Sequence, residues 1–213
     1  YEQRTELCFV QDESAGIYFY PKNWARTAKS GDLVEVTGVT APGSYSPLVS
    51  RAELSVLGSG RLPAPNPVPI EQIASGRLDC QWGQIEGVVH RVTENWGHLV
   101  LDLVAGSSRL KVRILERENG RERTLIDSRV RVQGVIAATH DSRKRPDGFH
   151  LLTPSTEHVT VLESDSTDPF TRPLRTGRSL KSNQPGQSLD HRVHLRGTVT
   201  LHWPGKVLFF RDE

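Results

Sequence analysis

A chain of 213 residues can bury an ordinary core, either as one large β domain or as two small ones. Lys plus Arg (27) nearly balance Asp plus Glu (25), which excludes a strong overall field toward nucleic acid or an anionic membrane and leaves room only for local basic patches. No apolar run approaches the roughly 18 residues of a membrane-spanning helix, and two cysteines, Cys8 and Cys80, make neither a disulfide framework nor a metal set.

Leu7 to Tyr20 reads as two strands and a turn. Phe9, Val10, Ile17, Tyr18, Phe19 and Tyr20 suit a pleated surface, and Asp12, Ser14 and Gly16 supply turn chemistry. Cys8 lies within the first strand, where a buried thiol acts as a small hydrophobe, and Cys80 sits beside another strand-like stretch. Pro21 to Lys29 is irregular. In Ser30 to Val39 the residues Leu33, Val34 and Val36 alternate with Glu35 and Thr37, predicting a half-buried strand with a bulge or bend at Gly38. Pro42 to Pro47 is a loop, and Ala52 to Leu57 is the last strand of this unit. Residues 61 to 69 carry four prolines and read as an extended linker. Ile70 to Ser75 has the length of one or two helical turns, with Gly76 as the stop.

A second unit starts at Leu78-Asp79. Trp82 to Val92, His98 to Leu103 and Ser108 to Leu115 read as strands, the first two joined by the turn Asn95-Trp96-Gly97, and the charged stretch Glu116 to Thr124 is a solvated turn. Val130 to Val135 then matches Val34 to Val39, and Val159 to Leu162 matches Leu54 to Leu57. A further repeat closes the chain, since Glu6 to Glu13 aligns without a gap on Lys206 to Glu213, and Val193 to Val199 is similar to Gly83 to Val89. The expected organisation is a first unit over 1–60 lacking its opening strand, a Pro-rich linker and short helix over 61–77, a second unit over 78–163, a linker over 164–188, and two strands of a third unit over 189–213. Residues 191 to 202 are then the strand that the first unit lacks, supplied within one molecule or by a strand-exchanged homodimer, since an open edge invites pairing. With no Met and a start at Tyr1, the chain has the look of an excised piece, so a missing signal peptide says nothing of compartment.

Strands in this order, with a Gly bulge and a long connection between the fourth and fifth, predict an all-β chain of tandem small five-stranded barrels joined by Pro-rich linkers. The pattern Leu-Arg-Gly-Thr-Val (195 to 199), a turn, then Leu-Phe-Phe-Arg-Asp-Glu (208 to 213) resembles the opening of OB-fold domains in anticodon- and single-strand-binding proteins. The series Phe-Val-Gln-Asp-Glu (9 to 13), Gly-Ile-Tyr (16 to 18) and Gly-Asp-Leu-Val-Glu-Val-Thr-Gly-Val (31 to 39), with Pro-rich spacers, resembles the tandem OB-like region in extracytoplasmic parts of bacterial sensor histidine kinases. That resemblance implies a periplasmic sensing module of a two-component signalling protein, with the membrane reached only through the parent chain and kinase activity residing outside this one.

The residues point to binding and not to catalysis. No Gly-x-Ser-x-Gly elbow and no Gly-x-x-x-x-Gly-Lys phosphate loop is present. The pairs Asp12-Glu13 and Asp212-Glu213 point to opposite faces of a strand, which suits turn chemistry better than acid–base work. His191, His194 and His202 lack the spacing of a metal site, so no metal or other cofactor is expected. OB-folds take ligands across the second and third strands and the loops beside them, where aromatic faces stack on bases or sugars. Candidates on that ground are Phe9 and Gln11, which share a face of strand two, Tyr18 and Tyr20, which share a face of strand three, and Trp96 and Trp203 in turns between strands one and two. Arg143, Lys144 and Arg145 join them from the basic loop His140 to Pro146, and Arg172, Arg175, Arg178 and Lys181 line the second linker. The expected function is a ligand- or partner-binding module of a sensor. A single-stranded nucleic-acid binder is the alternative, and carbohydrate binding would use the same aromatic faces.

Overall fold

The computed structural model describes residues 7–22, 28–43, 45–95, 97–116, 125–140, 143, 146–164, 168–181 and 191–212. Its strands are β1 (Cys8–Gln11), β2 (Gly16–Pro21), β3 (Asp32–Ala41), β4 (Leu48–Ser59), β5 (Asn66–Pro67), β6 (Trp82–Asn95), β7 (His98–Ala105) and β8 (Ser108–Glu116), followed by β9 (Arg129–His140), β10 (Pro146–Ser155), β11 (Val159–Glu163), β12 (Leu174–Arg175), β13 (His194–Leu195), β14 (Gly197–Trp203) and β15 (Val207–Asp212). Two short helices, α1 (Ile70–Ile73) and α2 (Gly177–Lys181), interrupt them. The expected helix after the Pro-rich stretch is α1. It ends before Gly76, whose φ of 75° stops the turn in a conformation that favours glycine.

The second unit is a closed barrel. Its strands follow the order β6-β7-β8-β10-β9, and β9 returns to pair with β6. The β8–β10 pair is parallel and the others are antiparallel. Numbered within the unit this is 1-2-3-5-4-1, the path of an OB-fold, so the chain is all-β and OB-like. The barrel closes because alternate residues face inward. Leu99, Leu101 and Leu103 of β7 and Leu110, Val112 and Ile114 of β8 meet Ile85, Val89, Val130, Val132, Ile136 and Leu151 in one cluster, with Ile70 and Ile73 of α1 beside it. Each such side chain is worth about 1.5–3 kcal/mol relative to exposure, which makes this cluster the main source of order in the chain.

The first unit has the same path with one strand fewer. Its order β1-β2-β4-β3, with a parallel β2–β4 pair, is 2-3-5-4 in the same numbering. Phe19 and Ala52 are buried, whereas Leu33, Val39, Val56 and Leu57 stay exposed, because no strand lies beside β3 among the described residues. At the C-terminal end β14 pairs with β15 and β13 with β12. Within the single chain, residues 191 to 202 therefore do not pair with the first sheet.

The internal repeat is visible as register. Val34 faces Val56 and Val36 faces Leu54 in the first sheet, and Val130 faces Val161 and Val132 faces Val159 in the second. The sequence match of Val159 to Leu162 with Leu54 to Leu57 is thus a structural one. The last strand itself differs from expectation. In the first sheet it is one continuous β4, while in the barrel it divides into β10, which leaves β9 to run along β8, and β11, which rejoins β9. The connection between strands four and five is correspondingly the short β9–β10 hairpin and not a long loop, because Phe149 to Leu152 pair with β9 and bury Leu151 in the core. A second repeat links the two strand-one hairpins. A Cβ on Gly87 would lie 2.9 Å from the Val104 carbonyl oxygen, and one on Gly197 would lie 2.2 Å from that of Arg211, so both positions need glycine for close approach. Each hairpin then shifts register at the same step, between Val89 and Arg91 and between Val199 and Leu201.

The first sheet is seated on the barrel through the segment before β6. Asp79 Oδ1 accepts from the Ala138 amide at 3.1 Å, and Cys80 and Gln81 exchange backbone bonds with Ile136, fastening this strap to β9. From the first sheet, Gln11 Oε1 accepts from the Trp82 amide at 2.6 Å, and Gly16 lies so close that a Cβ there would fall 1.9 Å from the Cys80 carbonyl oxygen. Tyr45 adds a ring contact to Phe149, with centroids 4.9 Å apart. Cys80 is buried, and burial first, then the neighbouring Asp79, pushes its thiol up to about 12, which leaves it an unreactive hydrophobe. Among the described residues no helix is long and apolar enough to cross a membrane.

Candidate functional site

The outward face of β7 and β8 is the face that OB-folds use for ligands. Strand alternation puts Leu110, Val112 and Ile114 inside and leaves Arg109, Lys111 and Arg113 outside, in a row along β8. Neighbouring strands extend this row sideways. Arg91 of β6 is in register with Asp102 of β7, Asp102 with Lys111, and Lys111 with His150 of β10. Two lines of ionisable side chains therefore cross at Lys111. They form the floor of a groove of about 1680 Å³, bordered by the β6–β7 arm at Thr93 and Asn95, by His140 and Gly148 of the β9–β10 hairpin, and at one end by Tyr45 and Phe149.

Three of the four fixed cations that line the groove are not spent on partners within the described residues. Arg109, Lys111 and Arg113 have no carboxylate within salt-bridge reach among the described residues, and the nearest acid of the transverse line, Asp102, sits 3.8 Å from Arg91 Nε. The other side of the barrel shows the opposite case. Arg131 donates to Glu86 at 2.7 and 2.9 Å and Arg129 to Glu86 and Glu163 at 3.1 and 3.4 Å. The hydrogen bond from Arg131 is the first cause that holds the Glu86 carboxyl below the usual range. Those arginines are satisfied within the fold, whereas the β8 row faces solvent. His150 lies in the groove and is held down to about 4, first by burial and then by the Arg113 charge.

The residues singled out from sequence are dispersed around this groove and on the first sheet. Arg143 is exposed in the β9–β10 hairpin beside it. Lys144 and Arg145, which follow it, and Trp96 of the β6–β7 turn lie outside the described residues. Tyr18 and Tyr20 share a face of β2, as expected. Phe9 is in register with Tyr18, whose ring meets that of Tyr20 edge-on at 6.0 Å. Gln11 is on the same face, but its oxygen is committed to Trp82. Trp203 ends β14, 62% exposed, on a separate hairpin. Arg172 is turned inward to Asp127, and Arg175 donates to Ser179 Oγ at 3.4 Å. Asp12 performs turn chemistry as expected, accepting from the Ser14 amide and hydroxyl and the Ala15 amide, and these bonds, the Ser14 hydroxyl first, lower its carboxyl to about 2. Asp212 accepts from the Gly177 amide at 2.7 Å. Among the described residues no group of three His, Cys, Asp or Glu side chains is arranged to hold a metal ion.

Sequence reasoning missed Arg109, Lys111 and Arg113. Their signal was present in Ser-Arg-Leu-Lys-Val-Arg-Ile-Leu, where every second residue of a predicted third strand is basic. The aromatic types drew attention elsewhere.

No family model and no curated protein sequence matches the chain. Solved structures give distant likenesses of chain path. An asparaginyl-tRNA synthetase from Entamoeba histolytica in complex with asparaginyl-adenylate aligns at TM-score 0.40 and 12% identity, covering 50% of this chain and 25% of that one. The asparaginyl-tRNA synthetase from Pyrococcus horikoshii with asparaginyl-adenylate gives 0.38 and 16%, covering 48% and 24%. A murine DNA-binding protein bound with double-stranded DNA gives 0.34 and 10%, covering 75% and 86%. The chain thus spans about a quarter of the synthetase chains it matches.

Proposed function

We propose that the chain is a non-catalytic binding module and that its second barrel takes a single-stranded nucleic acid across the groove of β7 and β8. The observation that carries this reading is the row Arg109, Lys111 and Arg113, three cations without carboxylate partners among the described residues, on the third strand of an OB barrel. Alternate residues of a strand stand about 6.6–6.8 Å apart, a spacing on which an extended sugar-phosphate chain can set successive phosphates against successive cations. Tyr45 and Phe149 offer π-faces at one end of the groove, where a base can stack. The near balance of charge over the whole chain fits a local patch and not a general polyanion binder.

Fluorescence anisotropy of labelled single-stranded DNA and RNA, at low and at physiological salt, tests this. Binding that weakens linearly with log salt, with a slope reduced by about one unit in Lys111→Ala, supports the groove. An absence of binding at low salt rules it out.

The sensory reading is the second one. It draws on the sequence resemblance to extracytoplasmic sensor regions and on the seating of the first sheet on the barrel through Gln11 and Tyr45, an arrangement suited to presenting loops to a protein or small ligand. Failure of nucleic-acid binding together with transmembrane helices in the parent chain would favour it.

A further inference from the structure

Among the histidines that line the groove, His150 is the one set directly beside the row of fixed cations on β8. His150 is the Cα partner of Lys111 on the parallel strand β8, and Arg109 and Arg113 flank Lys111 on that strand. His140 of β9 and His90 and Arg91 of β6 line the same groove, as do the acids Asp102 of β7 and Asp147 of β10 itself. Among the described residues that line the groove, fixed positive groups therefore outnumber acids, four to two.

We infer that anion binding in this groove is coupled to protonation of His150, so that the groove holds a polyanion more tightly as the pH falls. The inference rests on the reading of the groove as an anion site. In the empty groove a proton on His150 meets the repulsion of Arg113 and the cost of charge in a largely dehydrated position, and both keep the ring neutral, with its titration near 4. A phosphate seated over Arg109, Lys111 and Arg113 neutralises that repulsion and accepts a hydrogen bond from the imidazolium. Binding then takes up a proton, and by linkage the proton strengthens binding. Asp102 and Asp147 line the same groove, but burial and the Arg113 charge decide the state of the ring in the free protein.

The test compares the affinity of the whole chain for a labelled single-stranded oligonucleotide at pH 8 and pH 5.5, at one fixed ionic strength. Affinity should rise toward the lower pH, by roughly tenfold for each unit by which the ligand lifts the His150 titration point above 5.5. His150→Gln should lose that rise, whatever its affinity at pH 8. In the wild type, the His150 Cε1–H resonance should titrate at higher pH with oligonucleotide than without, which reads the coupling without any variant. Salt-dependent binding that is flat in pH overturns the inference and leaves the groove as a binding site. A rise of equal size in His150→Gln overturns it too and assigns the effect to His90 or His140. No binding at either pH at low salt removes the nucleic-acid reading itself, and this inference with it.

Discussion

Arg172 Nη2 donates to Asp127 Oδ2 at 2.5 Å across the boundary between the barrel and the segment that follows it, with side-chain exposures of 16% and 5%. Asp127 is the hub of this contact. Its other carboxylate oxygen accepts from the Arg192 amide at 3.1 Å and meets His191 Nδ1 at 3.3 Å, while Arg172 also donates to the Arg192 carbonyl at 2.9 Å. One buried carboxylate thus ties both 168–172 and 191–192 to the barrel, next to the point where β9 begins.

A buried charge that loses its partner is costly, about 3–5 kcal/mol. Arg172→Ala should therefore destabilise the chain on that scale in urea unfolding, and Asp127→Ala with Arg172→Ala together should cost less than the sum of the two single changes. Additive costs would show that the pair is not coupled. The expectation that the linker arginines form a phosphate site loses Arg172 on this ground, because its guanidinium is already used.

Gln11 separates a structural role from a ligand contact. Its oxygen is the acceptor for the Trp82 amide, so Gln11→Ala leaves a part-buried N–H without that partner and should cost about 1–3 kcal/mol. Its effect on oligonucleotide affinity, measured at a temperature where the variant stays folded, should be negligible, since the groove lies on the second barrel. A tenfold loss of affinity with unchanged stability would place the ligand on the first sheet instead.

The contrast between Gln11 and Lys111 marks what the sequence could show. Strand identity, the tandem repeat and the turn at Asp12 are local matters of alternation and turn chemistry, and they could be read directly. The commitment of Gln11 to Trp82 depends on how two units pack 71 residues apart, and no local pattern encodes it. The division of the fifth strand into β10 and β11 was hidden for the same reason. Where β10 leaves β9 is set by its parallel neighbour β8, which lies some forty residues earlier in the chain. The basic row of β8 was legible, but only after its strand had been given the position of strand three in an OB barrel.

Strand exchange would show in the solution state. The edge of β3, which no described strand covers, and the exposed Val199, Leu201, Phe209 and Phe210 of the β14–β15 hairpin are both surfaces that a second copy could cover. If β14 of one copy supplies the missing strand of another, sedimentation should give twice the 23.8 kDa chain mass at micromolar concentration, and Val199→Asp should return the monomer. A monomer across the concentration range excludes exchange.

Gly38 and Gly134 occupy equivalent places in the two units, and both lie where the fifth strand crosses the fourth. A Cβ at Gly134 would sit 2.4 Å from the Leu152 carbonyl oxygen, and one at Gly38 would sit 2.5 Å from Val49 Cγ1 and 2.7 Å from the Ser50 carbonyl oxygen. Backbone cannot yield as a side-chain tip can, so Gly134→Ala should be destabilising by about 1–3 kcal/mol or more. Gly38→Ala should be destabilising for the same reason, by a smaller margin, since the nearest backbone atom there, the Ser50 carbonyl oxygen, stands at 2.7 Å against 2.4 Å at Gly134. Equal thermal midpoints for wild type and Gly134→Ala would contradict the close approach.

His150 also makes stability depend on pH, with a definite sign. Burial and Arg113 lower its titration from 6.5 to about 4 in the folded chain. Between those values the unfolded chain binds the proton and the folded chain does not, so stability rises with pH across that window. The contribution is fully present above pH 6.5 and is lost as the pH falls through 4. A shift of that size corresponds to at most on the order of 3 kcal/mol. Urea unfolding at pH 7.5 and pH 4.5 should show wild type losing more stability than His150→Gln over the same interval, with the difference vanishing when both are compared above pH 7. Parallel pH dependences of the two proteins would mean that the ring is hydrated and titrates freely in the fold.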